Sequence, residues 1–292
     1  MGIVSLRLTE PATATHAARS LETNVRYPAT GVASGRDVVG AAPLRSQGPH
    51  PLVIFSQGFA IRPEAYALLL NAWASAGYVV ADPVYPFTSP NAPGGLVRAD
   101  IVHHPADLSF VITSLLGDSA RPGGILSGLL EATGVGVVGQ SDGGDVTLAA
   151  AASTCCRDSR IRAAVILSGA ELSWFKGRYF TTPPVPLLVV QGSRDFVMNP
   201  VACSVELYDQ ARQPKYYLSM LGQNHLSAYV PPGRALQEVE RVTIDFFGAY
   251  LRHDANQRDA LRATGNVPGL AALSTAATVG PDRGYCPDAP VP

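Results

Sequence analysis

Between about residue 50 and residue 252 the chain alternates short apolar runs with longer amphipathic stretches. The runs are Leu52 to Phe55, Tyr78 to Ala81, Val135 to Val138, Ala163 to Leu167, Val185 to Val190 and Tyr216 to Leu218. Near-continuous apolar character over a few residues is what a strand covered on both faces requires. The stretches between them, Glu64 to Ala76, Ala106 to Leu116, Gly143 to Ser153, Val201 to Gln210 and Leu236 to Arg252, read as helices. In the first, Tyr66, Leu69, Leu70 and Trp73 fall at i, i+3, i+4 and i+7, one helical face, so Tyr66 and Trp73 are expected in the core. Strand and helix in alternation predict an α/β fold with a mainly parallel central sheet and helices on both faces.

The first 50 residues read as edge strands and loops. No repeat and no charge block interrupts the series, which predicts a single domain over 1–292 with its core at about 20–252. The last forty residues, 253–292, have little apolar periodicity and are expected to wrap the surface.

Charge narrows the partners. Lys plus Arg is 22 and Asp plus Glu 23 in 292 residues, so no net positive field exists to hold a phosphate backbone or anionic lipid. Nucleic acid is not expected as a partner. The apolar runs fall far short of the roughly 18 residues of a membrane span, and no charged start leads into an apolar segment. Four cysteines, at 155, 156, 203 and 286, lack the paired spacing of a zinc site, so no metal is expected. Small buried thiols are one reading of them. In the other, adjacent Cys155 and Cys156 are not expected to bond each other, because that bond is strained, whereas Cys203 or Cys286 could pair with either. Secretion is favoured over the cytoplasm, and a monomer over an oligomer.

The chemistry concentrates where Val135 to Val138 runs into Gly139-Gln140-Ser141-Asp142-Gly143-Gly144 and then a helical segment. Gly-x-Ser-x-Gly alone is weak in a chain with 28 glycines. Its context is strand, sharp turn, helix, which would lift the Ser141 hydroxyl above the sheet at a helix N-terminus. A serine nucleophile needs a base and an orienting carboxylate. Asp195 follows the run Val185 to Val190, and His225 follows Tyr216 to Leu218. Either alone is an ordinary loop residue; together, at the exits of successive strands, they complete a triad in the order Ser, Asp, His. An oxyanion needs two N–H donors. Asp142 N–H is one, and Phe59 N–H, after the Gly58 turn beyond Leu52 to Phe55, is assigned as the other.

These residues resemble an α/β-hydrolase, and most of all the branch of dienelactone-hydrolase-like, platelet-activating-factor-acetylhydrolase-like and cutinase-type polyester-hydrolase enzymes. The resemblance rests on Val53 to Phe59, Tyr66 with Trp73 to Val80, Gly139 to Gly144, Pro186 to Asp195 and Gly222 to His225, and covers about residues 20 to 252. It implies a cofactor-independent serine esterase acting on a small-molecule or polymeric ester. A polyester hydrolase, a peptidase of the same fold and a non-catalytic binding protein stand as alternatives. Only 17 residues separate Leu167 from Val185, so no lid domain is expected there. That segment carries Trp174 and Phe175, and the resemblance implies that an aromatic from it flanks the acyl site; with Phe59 and Phe87 these residues are expected to form an open apolar groove.

Two departures from the resembling enzymes bear on the site. Gln140 and Asp142 flank the serine where those enzymes often have His before it and Met or Leu after it, and Gln57 stands where His often precedes the oxyanion glycine. A carboxylate on the residue whose N–H should hold an oxyanion must turn into hydrogen bonds of its own, or the site disfavours anionic substrates. The first is expected.

Overall fold

The computed structural model describes residues 1–14, 16–31, 36–196, 198–280 and Cys286. Among the described residues ten strands form one sheet: β1 Gly2–Glu10, β2 Arg19–Tyr27, β3 Val38–Val39, β4 His50–Ser56, β5 Val79–Val84, β6 Leu130–Gln140, β7 Ile161–Leu167, β8 Leu187–Gly192, β9 Lys215–Met220 and β10 Ala271–Ser274. Their order is β10-β9-β8-β7-β6-β4-β5-β2-β1-β3. Six neighbours from β5 to β9 run parallel; β2 and β10 add antiparallel strands at the two sides. The fold is α/β with a mostly parallel sheet.

Among the described residues six α-helices cover it: α1 Ala67–Ser75, α2 His104–Ala120, α3 Asp142–Ala152, α4 Val201–Gln210, α5 Arg234–Leu251 and α6 Ala255–Thr264. The apolar runs explain the layering, because adjacent strand residues point to opposite faces. Leu52 and Ile54 of β4 pack with Leu108 and Val111 of α2 and Val146 of α3, while Val53 and Phe55 pack with Leu69 and Trp73 of α1 and Phe247 of α5. Two apolar cores result, one on each face. Tyr66 and Trp73 are wholly buried, as their helical spacing predicts, with Phe55 against both rings. The Trp73 indole N–H donates to Thr243 Oγ1 at 2.8 Å, joining α1 to α5.

The C-terminal segment departs from expectation. Instead of only wrapping the surface, it forms α6, capped by the Asp254 carboxylate, and then β10, which pairs antiparallel with β9 and covers that edge. Buried Lys215 fastens the chain beyond β10, donating to the carbonyls of Tyr208 at 2.7 Å and Ala277 at 2.8 Å. Little in the sequence marks this: only Leu261 of α6 is buried, and a four-residue strand is recruited by an open edge, not by its own pattern. Residues 281–285 and 287–292 of this segment lie outside the described residues.

The cysteines correct a second expectation. Cys155 bonds Cys156, its neighbour, and Cys203 of α4 bonds Cys286. Neither buried thiols nor a bond from Cys203 or Cys286 to the adjacent pair is what the fold contains. The Cys155–Cys156 turn follows α3 and lies against Gly177, where a side chain would lie 2.6 Å from the Cys155 nitrogen.

Register gathers the functional loops. Ser56 of β4 pairs with Gly139 of β6, Gln140 with Leu167 of β7, and Gly192 of β8 with Met220 of β9. The carboxyl ends of these parallel strands therefore lie along one rim, where α/β sheets place their ligands.

Candidate active site

Ser141 stands at the turn between β6 and α3 with φ 56° and ψ −127°, a backbone region that costs an L-residue on the order of 1–3 kcal/mol. Packing enforces it. A side chain at Gly139 would lie 1.8 Å from the Gly143 carbonyl oxygen, and one at Gly143 would lie 2.0 Å from that of Ser56. Only two glycines let helix and strand meet so closely. The Ser141 N–H donates to the Leu167 carbonyl at 2.9 Å, tying the turn to β7.

Asp195 is buried just past β8, its Oδ2 accepting from His225 Nδ1 at 2.6 Å and from Gln191 Nε2 at 3.2 Å. His225 follows β9 on a loop held by Asn224, whose side-chain oxygen accepts from the N–H groups of Leu226 and Ser227. Asp195 thus sets the imidazole with its proton on Nδ1 and its lone pair on Nε2.

That lone pair is not on Ser141. Gln140 donates to His225 Nε2 at 3.2 Å and to the His225 carbonyl at 3.1 Å, and among the described residues no hydrogen bond joins the Ser141 hydroxyl to His225. Both groups nevertheless line one cavity. The Gln140 amide is oriented from behind: its Oε1 accepts from the Tyr66 hydroxyl at 2.7 Å. Burial pushes that hydroxyl's pKa up, so it stays a donor. In unliganded sites the bonds that carry catalysis are often unformed until substrate arrives.

The loop beyond β4 closes the other side. Gln57 donates to Ser89 Oγ at 2.9 Å, and a side chain at Gly58 would lie 2.8 Å from Gln140 Oε1 and 3.2 Å from Ser141 Cβ. Phe59 lines the cavity beside Ser141. The N–H groups of Phe59 and Asp142 have no acceptor among the described residues, the second because it opens α3. The Asp142 carboxylate does turn into hydrogen bonds, accepting from Arg98 Nε at 3.0 Å and Arg98 Nη2 at 2.8 Å.

The cavity measures about 370 Å³. Its apolar wall differs from the expected one: Ile61, Leu172, Met198 and Leu226 join Phe59, whereas Phe87, Trp174 and Phe175 do not line it. Phe175 is buried in the core, where its aromatic surface is worth more than in a wet groove. Phe87 lies beneath the Arg19 guanidinium, 5.7 Å from it, and Trp174 faces that of Arg98 at 5.3 Å. Arg98 had no signal in the sequence, standing at the start of a short helix, Arg98–His103, too brief to show a periodicity; Leu226 could have been found from its place next to His225.

Comparison with protein-family models and with curated proteins finds no match for the chain. Among the described residues no helix is long and apolar enough to cross a membrane, and no cluster of three or more His, Cys, Asp or Glu side chains is arranged to hold a metal ion.

Proposed function

We propose that the protein is a serine hydrolase of the α/β-hydrolase kind, cleaving carboxylic esters through an acyl-enzyme. The observation that carries this reading is the strained Ser141 turn sharing one cavity with a His225 imidazole already bonded to buried Asp195.

Ser141 Oγ attacks the ester carbonyl carbon as His225 Nε2, released from Gln140, takes its proton. The N–H groups of Phe59 and Asp142 hold the resulting oxyanion. The carbon–oxygen bond to the leaving alcohol then breaks, with His225 giving that oxygen the proton. Water, deprotonated by His225, attacks the acyl carbon; the acid departs and Ser141 recovers its proton. No added cofactor enters this scheme.

The 17-residue segment between Leu167 and Val185 forms no helix, which supports a site without a lid. Phe196 and Met198, 70% and 65% exposed beside the Asp195 loop, with Leu226 at the cavity, favour an ester with a bulky apolar part, and so give the polyester reading its support. The two disulfides support maturation under oxidising conditions. A monomer remains the proposed state.

Labelling with a fluorophosphonate tests the reading. Stoichiometric modification of Ser141, lost in Ser141→Ala with a fall in turnover of about three orders of magnitude or more, is expected. An unreactive wild-type serine would leave only a binding protein. A series of p-nitrophenyl esters beside a polyester film then separates small from polymeric substrates.

A further inference from the structure

In the ester hydrolysis proposed above, the Asp142 carboxylate poses an electrostatic problem. A negative side chain on the residue whose N–H faces a developing oxyanion opposes that charge at short range. Asp142 is 7% exposed. Its two oxygens are both taken by the fork of Arg98, which reaches in from the loop and short helix before α2. Planar bidentate pairing fixes direction as well as charge. The guanidinium also lies over the Trp174 ring, 5.3 Å from its centroid, and Trp174 itself packs on the core. Arg98 thus touches both an aromatic ring and the first residue of α3.

Resting on the hydrolase reading of the site, we infer that Arg98 is a positioning residue for the oxyanion pocket: it cancels the Asp142 charge and holds the start of α3 so that the Asp142 N–H faces the reacting carbonyl. Trp174 acts through Arg98 by bracing the guanidinium with its ring, which gives the indole a role other than lining the acyl site. The pair counts more in the transition state than in the substrate complex, because a neutral ester feels little of an unpaired carboxylate whereas an oxyanion feels all of it.

The experiment uses the full chain and p-nitrophenyl acetate, with fluorophosphonate labelling of the wild type as the first measurement. An unlabelled wild type overturns the hydrolase reading itself. Given a reactive wild type, Arg98→Met is expected to lower kcat about thirtyfold or more with KM within threefold. Arg98→Met combined with Asp142→Asn is expected to recover at least tenfold of that loss, since removing the carboxylate removes the need for its partner. Trp174→Ala is expected to lower kcat alone but to add nothing in the Arg98→Met background. A double variant no better than Arg98→Met, or a loss that falls on KM and follows the melting temperature, overturns the inference while leaving the hydrolase intact. Should Arg98→Met not fold, Arg98→Lys carries the comparison: keeping the charge but not the fork, it is expected to lose less than tenfold, and a loss larger than that also overturns it.

Discussion

Gln140 holds His225 at two points, donating one amide hydrogen to Nε2 at 3.2 Å and the other to the main-chain oxygen at 3.1 Å. The residue before the candidate nucleophile therefore occupies the lone pair that the candidate nucleophile needs. It also accepts from the Tyr66 hydroxyl and lies so close to the loop beyond β4 that a side chain at Gly58 would come within 2.8 Å of its Oε1, so that base, nucleophile and oxyanion loop meet at one buried side chain.

Replacing that side chain should loosen both loops at once. Gln140→Met keeps the length and removes the donors, and kcat toward a p-nitrophenyl ester is expected to fall about tenfold, within what small misplacements of reacting groups produce. Tyr66→Phe, which leaves Gln140 in place but without its orienting partner, should move kcat in the same direction by less. Steady-state kinetics on both variants check this; an unchanged kcat in Gln140→Met removes the role.

The backbone at Ser141 offers a test of strain apart from chemistry. Glycine tolerates φ 56° and ψ −127° where alanine does not. Both Ser141→Gly and Ser141→Ala should be inactive, but the glycine variant is expected to be the more stable by about 1 kcal/mol. Urea unfolding of the pair, which share the loss of the hydroxyl, measures the difference.

Burial pushes the Glu171 carboxyl up to about 8, with Glu206 acting in the same direction, and its Oε1 has no partner among the described residues. The folded protein then holds this proton more tightly than the unfolded chain, whose value is 4.5. The group's contribution to stability is therefore fully present below about 4.5 and lost as pH rises through about 8. Glu171→Gln should leave stability unchanged in acid and raise it at pH 8 and above. Asp82 and Asp107, raised to about 7 and about 6 by burial, titrate in the same window, so the difference between wild type and variant across pH 4 to 9, by chemical unfolding, is the quantity to read.

The two disulfides should contribute unequally. Cys203 and Cys286 are 83 positions apart, and Cys155 and Cys156 are adjacent. Closing a loop of that length restricts the unfolded chain by about 4.5 kcal/mol in the loop-entropy account, and closing none restricts it little. Cys203→Ser with Cys286→Ser should shift the denaturation midpoint strongly, whereas Cys155→Ser with Cys156→Ser should shift it slightly. Equal shifts would show that the adjacent pair stabilises the native turn itself.

Features that depend on neighbours along the chain were legible in the sequence. Apolar runs at Leu52 to Phe55 and Val135 to Val138 announce strands because both of their faces must be covered, and Gly139 and Gly143 announce the turn at Ser141 because nothing larger fits. Ser141, Asp195 and His225 could be picked out because each leaves a strand of one parallel sheet. Tertiary structure settled the features that depend on partners far along the chain: that Arg98 pairs with Asp142, that Gln140 reaches His225, that Phe175 enters the core and that β10 closes the sheet beside β9. Periodicity says that a side chain is buried or that a charge exists. Which group meets it is fixed only when separate elements pack, since hydrogen bonds and ion pairs act over a few ångströms of space whatever the distance in sequence.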